Sequence, residues 1–208
     1  MITWMTDYSM WGESTAVLKH ISFGHLMQAE RTCIEIGALD GIRNSNTRML
    51  LEMGWRGWMY EPNPASHTKC VENTRRLDVE VLRAAVGKRF GHLRFQPNTR
   101  IPGHSRIDSK GEIEVLMVPI MDVLADFHMQ LGPLLFLSVD AEGCDPEIAE
   151  GISQLPDEIL PHFLVIEAAT AVDLQVEILA LSDQYRLVEI FGNEKVPPCN
   201  LLFERLPF

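Results

Sequence analysis

Apolar positions along the chain fall into two alternating rhythms. Short, nearly continuous apolar runs read as strands, and stretches with apolar residues three or four apart read as helices. The first run covers 32–36 and leads into a turn bracketed by Gly37 and Gly41. Asn44 or Ser45 then offers an N-cap for a helix through Met53, with Gly54 as its stop. A second strand at 57–60 precedes a helix at 64–77 that places Pro64 in its first turn. A third strand at 79–86 is closed by Gly87. The rhythm breaks over 90–119, where short strands at 93–95 and 113–118 flank a polar loop containing Pro102, Gly103 and Gly111. It resumes with a helix at 121–129 stopped by Leu131-Gly-Pro133, and then an apolar strand at 134–139. A helix at 146–152, a strand at 163–167, a helix at 172–182 and strands at 186–191 and 201–206 complete the order.

Strands alternating with helices predict an α/β, Rossmann-like, doubly wound sheet with helices on both faces. The nearly continuous apolar strand at 134–139 suits a position buried on both sides. The last two strands differ, because the loop between them is shorter than the dozen or so residues that a parallel crossover needs. They are expected to be antiparallel. Residues 1–30 carry Leu18 with Ile21, and Phe23 with Leu26 and Met27, at helical spacing, with Gly24 as a break. They read as a helical leader that covers either the site or a sheet face, ahead of a single domain over 31–208.

Composition narrows the partners more than the fold. The 208 residues are 46% hydrophobic and 23% charged, with a formal net charge of -11. A chain of this length buries roughly 70% of its unfolded surface, enough for a core without staples. Strong acidity disfavours non-specific nucleic-acid and anionic-membrane binding. No apolar stretch reaches transmembrane length and no secretory signal is evident, so a soluble, cytoplasmic protein is expected. Cys33, Cys70, Cys144 and Cys199 form no CxxC pair and no zinc spacing, which fits a reducing compartment.

The turn after the first strand carries the clearest chemistry. Its pattern is Glu35-x-Gly37-x-x-x-Gly41, and about twenty residues later a second strand ends in Glu61, followed by Pro62. A glycine turn with an acid at that distance is how such sheets grip a nucleoside, with the carboxylate on the ribose hydroxyls. Leu39 and Asp40 stand where a dinucleotide site needs glycine and close backbone approach. A branched side chain and a carboxylate suit a cofactor without phosphates and with positive charge, such as S-adenosylmethionine. The alternative is a strand-turn-helix corner that needs glycine for backbone reasons alone. Trp55 and Trp58, on either side of the second strand's start, read as core groups.

The run Glu35-Ile-Gly-Ala-Leu-Asp-Gly-Ile-Arg-Asn-Ser-Asn-Thr47 and the run Leu51-Glu-Met-Gly-Trp-Arg-Gly-Trp-Met-Tyr-Glu-Pro-Asn-Pro64 resemble the FkbM-type methyltransferase family. So do Phe136-Leu-Ser-Val-Asp-Ala-Glu-Gly143 and Pro146-Glu-Ile-Ala-Glu-Gly151. The resemblance spans about residues 30–152. It implies a class I S-adenosylmethionine-dependent methyltransferase fold, with a seven-stranded, mostly parallel sheet and an antiparallel last strand. It also implies that Glu35, Gly37, Ala38 and Gly41 line the methionine end of the cofactor, with Asp40 in the same turn. Asn46 and Thr47, at the first turn of the next helix, would favour the methionine carboxylate. Glu61, with Pro62, would hold the ribose, and Ala84 and Ala85 would face the adenine. Leu39 departs from the family's more frequent small polar residue.

Asp140 and Glu142 follow the fourth main strand and, two residues apart on extended chain, point the same way. Methyl transfer to oxygen requires removal of a hydroxyl proton, a task for a positioned carboxylate. The pair could instead hold Mg²⁺, though two carboxylates make a poor dedicated cage, and no metal site is assigned. A turn acid pair with a purely structural role is the bland alternative. His104 and Asp108 in the irregular segment, and Glu167 at the end of the fifth main strand, are secondary candidates. Met1, Met5 and Met10 read as core or mobile side chains rather than cofactor contacts. The resemblance implies O-methylation of a hydroxyl on a sugar, glycan, glycolipid or polyketide-type acceptor. A non-catalytic cofactor-binding protein and a nicotinamide-dependent oxidoreductase are the rival readings.

Overall fold

The computed structural model describes residues 6–21, 31–98, 100, 105–192 and 197–207. Phe23, Gly24, Leu26, Met27, Pro102, Gly103 and His104 lie outside the described residues. Helix α1 (Glu13–His20) precedes strand β1 (Thr32–Ile36), α2 (Arg48–Glu52), β2 (Arg56–Tyr60), α3 (Pro64–Thr74) and β3 (Val79–Leu82). Then come β4 (Ala85–Gly87), β5 (Gly91–Gln96), β6 (Arg106–Ile107), β7 (Ile113–Pro119) and α4 (Ile120–Leu131). The chain continues through β8 (Phe136–Val139), α5 (Asp145–Ile152), β9 (Phe163–Ala168), α6 (Ala171–Leu181), β10 (Tyr185–Phe191) and β11 (Cys199–Arg205).

The main sheet has seven strands in the order β10-β11-β9-β8-β1-β2-β3. Its strands are parallel except β11, which runs antiparallel between β9 and β10. This is the closing arrangement that loop length predicts. Alternation along β1 sends Ile34 and Ile36 to one face and Cys33 to the other. The first face packs on α4, α5 and α6 through Phe127, Ile148 and Leu181, and the second on α1, α2 and α3 through Val17, Leu50 and Cys70. Trp55 and Trp58 are both core residues, and Trp58 meets Phe127 edge-on at 5.0 Å between ring centroids. Leu18 and Ile21 pack against the second layer, so the described part of the leader covers a sheet face.

Several helix ends follow from local chemistry. Asn63 caps α3 by accepting from Ala65 N–H at 3.0 Å, with Pro64 in the first turn. Gly54, at φ 85°, ends α2: its N–H bonds Leu51 O, and Trp55 N–H bonds Leu50 O. Gly132 ends α4 at φ 81° in the same left-handed region.

Two expectations change. The strand expected over 79–86 breaks after Leu82, and its second half, β4, joins another sheet. That sheet has four strands in the order β4-β7-β5-β6 and its own small core of Ala85, Phe95, Val115 and Met117. The helix expected from Asn44 or Ser45 begins only at Arg48, because 45–47 turn inward to a buried carboxylate described below. Among the described residues, no helix is long and apolar enough to cross a membrane.

Phe127 is fully buried in the first layer. Phe127→Ala is expected to lower unfolding free energy by about 3–5 kcal/mol. Urea denaturation checks this, and a loss under about 1 kcal/mol would mean that the layer repacks around the missing ring.

Candidate active site

The carboxyl ends of β1, β2, β8 and β9 open onto one cavity of ≈ 320 Å³. Such a crevice is where open α/β sheets bind ligands. Its backbone floor is tightly tied. Tyr60 O accepts from both Gly37 N–H and Ala38 N–H at 2.9 and 3.0 Å, and Ile36 O accepts from Asp140 N–H at 3.0 Å. Gly37 has φ 84°, and a Cβ there would lie 1.9 Å from Asp140 O. Glycine is therefore required both for the turn and for the approach of β8.

Glu35 points away from Ile34 and Ile36 into the second layer, with only 4% of its surface exposed. Ser45 Oγ and Thr47 Oγ1 donate to its Oε2, and Asn46 N–H to its Oε1, each at 2.7 Å. Burial raises its carboxyl above the ordinary range, and these bonds hold the rise in check. Ser45 Oγ in turn accepts from Arg48 N–H at 3.0 Å, which starts α2. Asn46 and Thr47 thus stand behind Glu35 rather than on the cavity wall, and the helix terminus already serves a protein carboxylate. Asp40 also lies off the wall: its Oδ1 accepts from Ile42 and Arg43 N–H, holding the turn. Gly41 packs the turn against α3, where a Cβ would meet Cys70 Sγ and Thr74 Cγ2 at 2.9 Å.

Glu61 bridges the two strand ends. Its Oε2 accepts from Leu39 N–H at 2.8 Å and its Oε1 from Asn63 N–H at 2.7 Å. Each oxygen keeps lone-pair capacity toward the cavity. Burial pushes the Glu61 carboxyl up to about 7 despite those bonds. Pro62, Ala84 and Ala85 continue the wall toward an apolar end with Val86, Phe95 and Ile107.

On the other side of β1 lie the acids. Asp140, Glu142 and Glu167 all line the cavity. Burial raises Asp140 well above the usual carboxylate range, and the charges of Glu167, Asp145 and Glu142, with a hydrogen bond to Glu167, raise it further. Burial, then Glu167 and Asp145, push Glu142 up to about 7. Asp145 shapes this loop from beneath by accepting from Ala141 and Gly143 N–H at 2.7 and 3.1 Å; its own carboxyl is raised by burial to about 6. Glu177, fully buried on α6 with no hydrogen-bond partner among the described residues, is pushed up to about 9 by burial and by Asp145, Asp173 and Glu167. Nothing in the sequence pattern around Glu177 marks it. Among the described residues, no group of three or more His, Cys, Asp or Glu has metal-ligand geometry. Asp108 closes a surface turn with Lys110 and Gly111 and does not line the cavity.

Among the described non-glycine residues, Leu39, Asn44 and Glu142 adopt positive φ, at 51°, 56° and 49°, and all three line this cavity. Left-handed non-glycine residues thus meet at this cavity from both sides of β1, the kind of clustering seen at functional sites.

The family model described as the methyltransferase FkbM domain matches residues 35–181. The chain belongs to the FkbM methyltransferase family. The methyltransferase FkbM from Methylobacillus flagellatus KT shares the fold with a TM-score of 0.58 at 17% identity, over 92% of this chain and 47% of that one. This chain therefore spans about half the length of that relative. The bifunctional kinase-methyltransferase WbdD matches with a TM-score of 0.51 at 11% identity, over 92% of this chain and 37% of that chain. Comparison with curated proteins gives no significant sequence match. The FkbM match takes in every lining carboxylate, whereas Met10, Trp11 and Pro198 reach the cavity from outside it. Met10, read from sequence as a core or mobile side chain, is thus a wall residue.

The raised carboxyls set a pH dependence. From the ordinary glutamate value of 4.5 up to about 7, the folded chain keeps on Glu61 a proton that the unfolded chain has released. Stability contributed this way falls as pH rises through that window, and Glu142 and Asp145 act in the same sense. For Asp7, burial is outweighed by bonds from Ser9 and Thr15; its net downward shift acts below its ordinary 3.8, outside the window. The melting temperature of ligand-free protein is expected to be higher at about pH 5.5 than at about pH 8. A melting temperature that climbs across this range would contradict the site electrostatics.

Proposed function

We propose that the chain binds S-adenosylmethionine in this cavity and directs its methyl group to a hydroxyl oxygen of a small-molecule or glycan acceptor. The observation that carries the reading is the charge of the wall. Glu35, Glu61, Asp140, Glu142 and Glu167 line the cavity against one described cation, Arg43, which also approaches Asp40 at 4.0 Å. A pyrophosphate would be repelled there, whereas a sulfonium and an ammonium would be attracted.

The residues present fit such a cofactor. Glu61 is the acceptor for ribose hydroxyls, and the wall from Ala84 to Phe95 takes the adenine. Glu35 and the turn at Gly37 and Ala38 take the methionine end, where Arg43 offers charge to the tail carboxylate. When bound, the cofactor supplies an electrophilic methyl on a neutral leaving thioether. Asp140 takes the hydroxyl proton as the acceptor oxygen attacks. Burial and its acidic neighbours raise the Asp140 carboxyl, which makes its ionised form a stronger base than an ordinary carboxylate, with Glu167 beside it. A cation in the cavity favours the ionised base. Alignment of the two substrates and exclusion of water supply the rest. All four cysteines are free thiols, which supports a reducing, cytoplasmic setting. The family resemblance favours sugar, glycolipid or polyketide hydroxyls.

Titration calorimetry with S-adenosylmethionine and with NAD, separately, tests the cofactor: heat with the first alone is expected, and binding of NAD alone would overturn the reading. Asp140→Asn should keep cofactor affinity and lower turnover about 10²–10⁴-fold. Turnover at the wild-type rate would remove Asp140 from the role of base. Glu61→Gln should weaken cofactor binding by about 10–100-fold, on the scale of charged hydrogen bonds. Unchanged affinity would take the ribose away from this strand end.

A further inference from the structure

One wall of the cavity comes from a segment that lies before the matched FkbM domain. Trp11 and Met10 line it, ahead of α1. The segment is clipped in place at several points. Asp7 accepts from Ser9 N–H at 3.0 Å and from Thr15 N–H at 2.9 Å, which folds the segment back on α1. Tyr8 O–H donates to Glu52 on α2 at 3.2 Å, with the Arg48 guanidinium 5.7 Å from its ring centroid. Gly12, at φ 90°, turns the chain into α1. Ser14 Oγ donates to Asn46 O at 2.8 Å, next to the donors that hold Glu35.

Glu13 is the centre of this arrangement. Its surface is fully buried. Its Oε2 accepts from Trp11 N–H at 2.9 Å and its Oε1 from Asn200 Nδ2 at 2.6 Å. A buried carboxylate is costly unless its bonds are good. Here they join the backbone of a wall residue to the start of β11, beside Pro198, itself on the wall. The arrangement therefore fixes the backbone at Trp11, whose side chain packs partly buried against the second layer and lines the cavity. A tryptophan at the edge of a carboxylate-lined cavity offers a π-face to an organic cation.

We infer that Trp11 is a cofactor-binding residue of this chain and that Glu13 is the positioning residue that holds it there. The inference rests on the S-adenosylmethionine reading above. Trp11 adds an aromatic contact and shields the bound cofactor from water, so it slows cofactor release. The segment that supplies this contact lies before the residues that the FkbM domain model matches.

The test uses the full chain and S-adenosylmethionine itself. Trp11→Ala is expected to raise Kd about tenfold, mainly through faster dissociation in stopped flow. Glu13→Gln keeps the shape of the clamp but cannot accept from both donors, and should raise Kd by a smaller factor with Trp11 intact. Trp11→Phe is the conservative variant. Made in a Trp4→Phe background, which leaves only the core residues Trp55 and Trp58 as other indoles, it should bind within about threefold of its parent while abolishing most of the cofactor-induced change in tryptophan fluorescence. That readout holds even if the alanine variant folds poorly, and a merely structural role would not move it. A full fluorescence change in Trp11→Phe, or unaltered Kd and dissociation rate in folded Trp11→Ala, would overturn the inference. Absence of binding to the wild-type chain would instead bring down the cofactor reading.

Discussion

The Glu35 carboxylate, buried at the end of β1, receives Ser45, Asn46 and Thr47 at 2.7 Å from the far side of the turn. Removing a charge from water is unfavourable, and three donors at close range make it tolerable. The loop from Gly37 to Asn44 is closed by this contact as a buckle closes a strap. Within that closed loop the left-handed residues Leu39 and Asn44 are held in conformations they would otherwise leave. Leu39 N–H is thereby aimed at Glu61, and the ends of β1 and β2 become one rigid lip. The start of α2, through Ser45 Oγ and Arg48 N–H, depends on the same contact.

The lip faces a cavity whose electrostatics the fold does not neutralise. Asp140, Glu142, Asp145 and Glu177 all have raised carboxyls for one main reason, burial, and their mutual charges add to it. Two well-filled apolar layers on either face of the sheet offset this locally unfavourable region. An organic cation would relieve the repulsion, so ligand charge and fold stability are linked at this site.

Much of the architecture was legible because local rules agree with one another. Gly54 and Gly132 sit in the left-handed region that their positions after apolar helices implied. A short final loop predicted the antiparallel β11 without any knowledge of the sheet. The break after Leu82 was hidden, since an apolar run is equally consistent with one strand or with two strands in different sheets. Around the cavity, residue type and spacing located the ends of β1, β2 and β8. They did not show that Asn46 and Thr47 satisfy Glu35, because hydrogen-bond partners are a property of the folded turn. Nor did spacing show Trp11 or Pro198 meeting this cavity, since only the tertiary fold brings those distant positions together, whereas Glu167, a candidate from its place at a strand end, does line it.

The place of β11 has a consequence for how the chain is made. It follows β10 in sequence yet lies between β9 and β10, pairing Cys199–Arg205 with both. As the ribosome delivers the chain in order, β10 emerges with no neighbour to pair with. The exposed edge of β9 waits for a strand not yet synthesised. Only when β11 slides between them do Pro198 reach the cavity and Asn200 reach Glu13. The cavity wall is therefore completed only once β11 has been made, and a nascent chain interrupted before β11 would carry the Glu35 lip without the contacts from Pro198 and Asn200.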